Sequence, residues 1–112
     1  MARLNLVVLR SPQLDAVKGF YQAVGLCFVP EKHGRGPDHF SARSGDVVIE
    51  LYPSGKEAEA GDLRLGFTVS DIASVIARLI ALGTDVPDIA ERSVVVTDPD
   101  GRRVELTQGD AR

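Results

Sequence analysis

Two glutamates with matching surroundings are the residues best placed to do chemistry. Glu50 lies in Ser44-Gly45-Asp46-Val47-Val48-Ile49-Glu50-Leu51, and Glu105 in Asp98-Pro99-Asp100-Gly101-Arg102-Arg103-Val104-Glu105-Leu106. Each carboxylate stands in mid-strand, Glu50 between Ile49 and Leu51, and Glu105 in an alternating run with Val104 and Leu106 on one side and Arg103, Glu105 and Thr107 on the other. One such glutamate on a solvated face needs no function. Its recurrence in both halves points to a cleft, where paired carboxylates can exchange a proton or help to hold a divalent cation. His39 is the third candidate. With Ser44-Gly45 as a two-residue hairpin loop, His39 is expected directly opposite Glu50, their Cβ atoms about 5 Å apart. Such a pair can tune a general base, join Glu50 and Glu105 at a metal, or only order a sheet edge. His33, in His33-Gly34-Arg35-Gly36-Pro37-Asp38, reads as a solvated loop residue.

The elements that must position these residues follow in order. Leu4–Arg10 reads as a strand, and Ser11-Pro12 as a helix start with Ser at the N-cap and Pro at the first helical position. Leu14, Val17, Tyr21 and Val24 then trace one helix face, and Gly25 ends it. Leu26–Pro30 reads as a strand, and His39–Arg43 with Val47–Tyr52 as a hairpin. Pro53–Gly61 is polar and small, a linker between halves. Leu63–Val69 is the next strand, Ser70-Asp71 the next N-cap, and Ile72, Val75, Leu79 and Leu82 the next helix face, closed by Gly83. A weak strand is expected over Val86–Ile89, interrupted by Pro87, before a closing hairpin of Ser93–Thr97 and Arg102–Gln108. An offset of 58 carries the first helix face and Gly25 onto the second, and an offset of 55 carries Glu50-Leu51 onto Glu105-Leu106. The chain is two copies of strand–helix–strand–strand–strand.

Composition excludes several classes. The chain has 112 residues, 44% of them hydrophobic and 26% charged, as in an ordinary single soluble domain. A net charge of -3 with no basic stripe argues against nucleic acid as a partner. No apolar run approaches the roughly 20 residues that span a bilayer. Met1-Ala2-Arg3-Leu4 passes straight into a strand pattern, so no signal peptide and a cytoplasmic location are expected. The lone Cys27 cannot form an internal disulfide, and its apolar neighbours suggest a buried structural thiol.

A doubled βαβββ unit with these landmarks resembles the vicinal oxygen chelate superfamily, which includes glyoxalases, bleomycin-resistance proteins and extradiol dioxygenases. The resemblance rests on Phe20-Tyr21, Val24-Gly25-Leu26, Val48-Ile49-Glu50-Leu51 and Asp98–Leu106, and it covers nearly the whole chain. It implies an α+β fold: two tandem βαβββ modules, about residues 1–53 and 62–112 with a linker at about 54–61, forming a curved mixed sheet around a cleft, helices outside. Metal-binding members use one ligand from the first and one from the last strand of each module. Carried over, the last-strand positions fall on Glu50 and Glu105, and the first-strand positions on Leu6 and Arg64. Leu6 has no donor and Arg64 is a permanent cation, so Arg64 is expected to take the space of the ion and neutralise both glutamates. No cofactor is therefore expected, and any divalent metal would fall to Glu50, Glu105 and His39.

Strand parity places Val8, Ser41, Val48, Tyr52, Gly66, Thr68, Val94, Arg103 and Thr107 on the cleft face, an apolar floor with polar fixing points. Arg92 and Arg103 could meet an anionic ligand at the mouth or merely be solvated. The expected function is metal-independent small-molecule binding by a homodimer, with Arg64, Tyr52, Ser41, Thr68, Val48, Arg103 and Arg92 touching the ligand. With aromatics at 5% and no Trp, stacking surfaces for a drug are scarce. The alternatives are a glyoxalase-type lyase or isomerase using Glu50, Glu105 and His39, and an inactive dimeric scaffold.

Overall fold

The computed structural model describes residues 1–55, 62–88 and 92–110. The first module runs β1 (Leu6–Ser11), α1 (Leu14–Val24), β2 (Val29–Glu31), β3 (His39–Ser44) and β4 (Val47–Pro53). Its strands form one mixed sheet in the order β1-β4-β3-β2, with β1 parallel to β4 and the other pairs antiparallel. The second runs β5 (Arg64–Val69), α2 (Ile72–Ala81), β6 (Ser93–Thr97) and β7 (Arg103–Gln108), and forms a sheet in the order β5-β7-β6. Here β5 is parallel to β7 and β6 antiparallel to it, the same plan as the first module. The fold is α+β, its strands divided between two sheets that do not close on one another. No strand forms over Val86–Asp88, where Pro87 lacks a ladder donor; Ile89 lies outside the described residues, as does the linker from 56 to 61.

Alternation decides which side of each sheet is dry. Leu9, Ala42, Ile49 and Leu51 are buried on one face of the first sheet, beneath Val17, Phe20, Tyr21 and Val24 of α1. Val69, Val94, Val96, Val104 and Leu106 do the same in the second, beneath Val75 and Leu79 of α2. The helix ends show where local chemistry acted. Ser11 is not the cap of α1: it is the buried last residue of β1, its Oγ accepts from the Gln13 backbone N–H at 3.0 Å, and Gln13 stands at the N-cap with no side-chain bond to the helix. Gly25, at φ 131°, supplies the stop. Asp71 does cap α2, its carboxylate accepting from the Ser74 N–H at 3.2 Å. Cys27 is exposed rather than buried. Its neighbours Leu26 and Phe28 turn inward, and an extended segment sends the residue between them outward.

The modules are joined through α1 against α2 and through the Asp98–Arg102 turn. The Tyr21 ring lies 6.1 Å from that of Phe67 in β5, and its hydroxyl donates to Asp98 Oδ2 at 2.7 Å. Asp98 Oδ1 accepts from the backbone N–H groups of Asp100 and Arg102, both at 2.9 Å. The buried Arg102 guanidinium reaches Asp98 at 3.0 Å, Asp100 at 3.2 Å and the Arg10 carbonyl of β1 at 2.6 Å. Gln13 adds a bond to Asp100 Oδ1 at 2.8 Å. The motif is thus an intermodule staple.

Burial, and then the Asp98 carboxylate, push the Tyr21 phenol well above its usual value of about 10. Above that pH the unfolded chain releases a proton that the folded one keeps, so stability falls as pH rises, by at most about 1.4 kcal/mol per pH unit from this group. Urea midpoints from pH 8 to 11 are expected to decline more steeply in the wild type than in Tyr21→Phe. Parallel declines would mean that Tyr21 is not the group responsible.

Candidate functional site

In the first module, the face of the sheet away from α1 carries the expected residues Glu50, Ser41, Val48 and Tyr52. Val8 of β1 lies across from Glu50 on one side and Ser41 of β3 on the other. The hairpin loop is Gly45-Asp46 rather than Ser44-Gly45, since Ser44 pairs with Val47 and Gly45 takes φ 59°. His39 is therefore diagonal to Glu50, not opposite. A slip of two residues keeps the same face, and His39 Nε2 still lies 3.2 Å from Glu50 Oε2. The imidazole is held on two sides. It stacks on Tyr52 with ring centroids 4.1 Å apart and planes 10° from parallel, and its Nδ1 faces the Pro37 carbonyl at 3.3 Å. Arg10 covers the Tyr52 ring at 5.5 Å.

Two further residues reach this cluster. Glu31 pairs directly with His39 across the β2–β3 ladder, its Oε1 3.5 Å from His39 Nε2. His33, in the loop beyond β2, brings its Nε2 to 3.8 Å from the same Oε1, and its ring lies 5.0 Å from that of His39. Neither joined the candidate set from sequence. The available signal was the Glu31-Lys32-His33 spacing at the mouth of a loop that returns to His39.

In the second module, Glu105 of β7 lies directly across from Gly66 of β5, where an added Cβ would meet nothing within 4 Å. Arg64 Nη1 donates to Glu105 Oε1 at 3.4 Å, both side chains about half exposed. Among the described residues no ion pair joins Arg64 to Glu50; the two carboxylates have separate partners, Arg64 and His39. Thr68 and Arg103 share the Glu105 face, Thr68 across from Thr107 and Arg103 across from Arg64, and both are exposed. Arg92 donates to the Gln108 carbonyl at 3.3 Å. Val94 is not on this face. The 98–102 turn sets Thr97 against Arg103, which puts Val95 across from Glu105 and turns Val94 into the core. A separate groove of about 510 Å³ runs between the modules past Leu26, Arg43, Thr68, Asp71, Ser74 and Arg78, so Thr68 alone of the expected ligand contacts borders it.

With this geometry in view, the comparisons with known proteins assign the class. The family of the glyoxalase-like domain matches residues 6–107, and the chain belongs to that family, within the vicinal oxygen chelate superfamily. Solved structures share the fold at low identity. The antibiotic-binding protein TnmS3 from Streptomyces sp. CB03234 is 23% identical with TM-score 0.72, the match covering 98% of each chain. The fosfomycin resistance protein FosX from Mesorhizobium loti is 20% identical with TM-score 0.75, covering 97% of this chain and 93% of that one. A lactoylglutathione lyase from Agrobacterium tumefaciens is 22% identical with TM-score 0.65, covering 97% and 95%. No curated protein sequence matches the chain. No helix among the described residues is long and apolar enough to cross a membrane.

The metal position that the superfamily shares between its modules does not fit these residues. Leu6 and Val8, the β1 residues on the Glu50 face, have no donor atom and stand partly exposed. On the other side the Arg64 guanidinium already lies against Glu105, and a cation there repels a metal ion.

Proposed function

We propose that the protein binds a small organic molecule on the open faces of its sheets, with no metal shared between the modules. The Arg64–Glu105 pair carries this reading. An exposed ion pair of this kind contributes about 0–1 kcal/mol, so a ligand can part it and gain two charged hydrogen-bonding partners. Gly66 leaves room beside it, and Thr68 and Arg103 can fix orientation. On the first module Val48, Ser41 and Tyr52 offer an apolar floor with two hydroxyls, and Arg92 stands at the end of β6. The shared fold with an antibiotic-binding and a fosfomycin resistance protein supports a small-molecule ligand. Leu6, Val8 and Val95 on these faces are exposed apolar side chains, which favours a homodimer that covers them.

The test is a thermal-shift screen against small molecules, cationic ones included. At least one compound is expected to raise Tm, with the shift lost in Arg64→Ala and reduced in Glu105→Gln. A shift that survives Arg64→Ala intact sinks the reading, and light scattering that finds a monomer at micromolar concentration refutes the dimer. A second reading draws on the 3.2 Å His39–Glu50 contact, which suits a proton-transferring lyase or isomerase. Turnover of a hemithioacetal that is abolished by Glu50→Gln and Glu105→Gln would favour it. A protein that answers neither assay in any variant is a scaffold.

A further inference from the structure

We propose that Glu31, His33, His39 and Glu50 form a site for one first-row divalent transition ion of the zinc type, held wholly by the first module. The proposal goes beyond the ligand-binding reading and does not depend on it. It also differs from the superfamily's shared position, because it takes nothing from the second module.

One buried atom lacks a hydrogen-bond partner. His39 Nε2 is buried, on a side chain 1% exposed, and makes no hydrogen bond. Its tautomer follows from the other nitrogen. The Pro37 carbonyl can only accept, so Nδ1 carries a hydrogen, and in the neutral ring Nε2 is then the nitrogen that offers a lone pair. Around Nε2 lie two carboxylate oxygens, Glu50 Oε2 at 3.2 Å and Glu31 Oε1 at 3.5 Å, neither aligned with it for a hydrogen bond. Three acceptors facing one another repel unless a cation lies between them. Fixing one imidazole nitrogen by an Nδ1–H···O=C bond, with the other left free, is how proteins set a metal-binding histidine.

The spacing fits such an ion. Four ligands about 2.0–2.1 Å from a tetrahedral centre are about 3.3–3.4 Å apart. Three of the six separations are 3.2, 3.5 and 3.8 Å, and all four donor atoms lie within 4.8 Å of one another. Two imidazole nitrogens and two carboxylate oxygens suit zinc and its neighbours, whereas calcium and magnesium take oxygen ligands. Charge also balances, two carboxylates against a doubly positive ion. Glu31, His39 and Glu50 come from three adjacent strands fixed by ladder bonds and form the rigid part. His33 comes from the connecting loop and is 67% exposed, so it closes the fourth position and is the weakest ligand.

The experiment uses the full chain, stripped with chelator and titrated with zinc by calorimetry. One ion per chain is expected, together with a rise in Tm, and cobalt in its place should give the strong visible bands of a tetrahedral site. His39→Gln and Glu31→Gln should each weaken zinc binding at least tenfold, and His33→Gln less than either. Far-UV circular dichroism checks that the variants fold. Glu31→Gln, on a strand-end side chain partly open to solvent, keeps the test decisive if His39→Gln does not. Three outcomes overturn the proposal: no zinc retained by folded wild type at equimolar micromolar concentrations, wild-type affinity in folded Glu31→Gln, or equal weakening by Glu105→Gln. The first would leave a proton shared by His39 with Glu31 and Glu50, and the last would place the ion between the modules. Loss of the Arg64-dependent ligand response with zinc binding intact would count only against the ligand-binding reading.

Discussion

Arg102→Ala is expected to destabilise the protein by about 3–5 kcal/mol, a large part of what holds a domain of this size folded. The guanidinium is 7% exposed, and the carboxylates of Asp98 and Asp100 that it bridges are fully buried. Removing it leaves two negative groups without their cation in a dry interface. It also frees the Arg10 carbonyl, the point where the second module grips β1 of the first. Asp98 keeps its bonds from Tyr21 and from two backbone N–H groups, so the turn itself should persist. The loss therefore falls on the joint. Arg102→Lys should recover little, because a single ammonium cannot match a fork that spans two carboxylates and a carbonyl. The neighbouring Arg103 is the control: it is exposed, and Arg103→Ala should change stability by no more than about 0.5 kcal/mol. Urea denaturation of the three variants gives the comparison. Similar midpoints for Arg102→Ala and Arg103→Ala would show that the buried network contributes nothing net.

That contrast also shows what the sequence could and could not reveal. Alternation after the turn distinguishes Val104 and Leu106 from Arg103 and Glu105, and the structure keeps every one of those sides. Alternation puts Arg102 on the side of Val104 and Leu106 but is silent on its role, which depends on the Arg10 carbonyl, more than ninety residues away in the chain. The same division runs through the candidate site. His39 and Glu50 could be placed on one face from parity alone, so a hairpin register two residues off did not separate them. Val94 was misplaced because its side depends on how many residues the Asp98 turn consumes, which parity within β6 cannot supply. Glu31 and His33 reach the cluster through a short strand and a seven-residue return loop, and only a three-dimensional path could bring them there. For Cys27, apolar neighbours suggested burial, but in extended backbone those neighbours are the reason that it faces outward.

The internal repeat is a stronger guide than any single residue, yet along the helix face it fails at one position, and that failure can be measured. The offset of 58 pairs Tyr21 with Leu79 and Val24 with Leu82. Tyr21 and Leu79 are both completely buried, as equivalence requires. Val24 is buried but Leu82 is 57% exposed. The helix ends account for the difference. Helix α1 runs through Val24, whereas α2 stops at Ala81 and leaves Leu82 as its C-cap, before Gly83 turns the chain at φ 88°. Leu79→Ala is accordingly expected to cost about 2–5 kcal/mol, the transfer loss of a buried leucine plus the cavity it leaves. Leu82→Ala should stay within about 0.5 kcal/mol, since little surface changes its environment. Both substitutions remove the same atoms, so the chemical change cancels in the comparison. If Leu82→Ala proves as damaging as Leu79→Ala, its side chain is covered by something, and the homodimer contact proposed for the open sheet faces would have to extend to the end of α2.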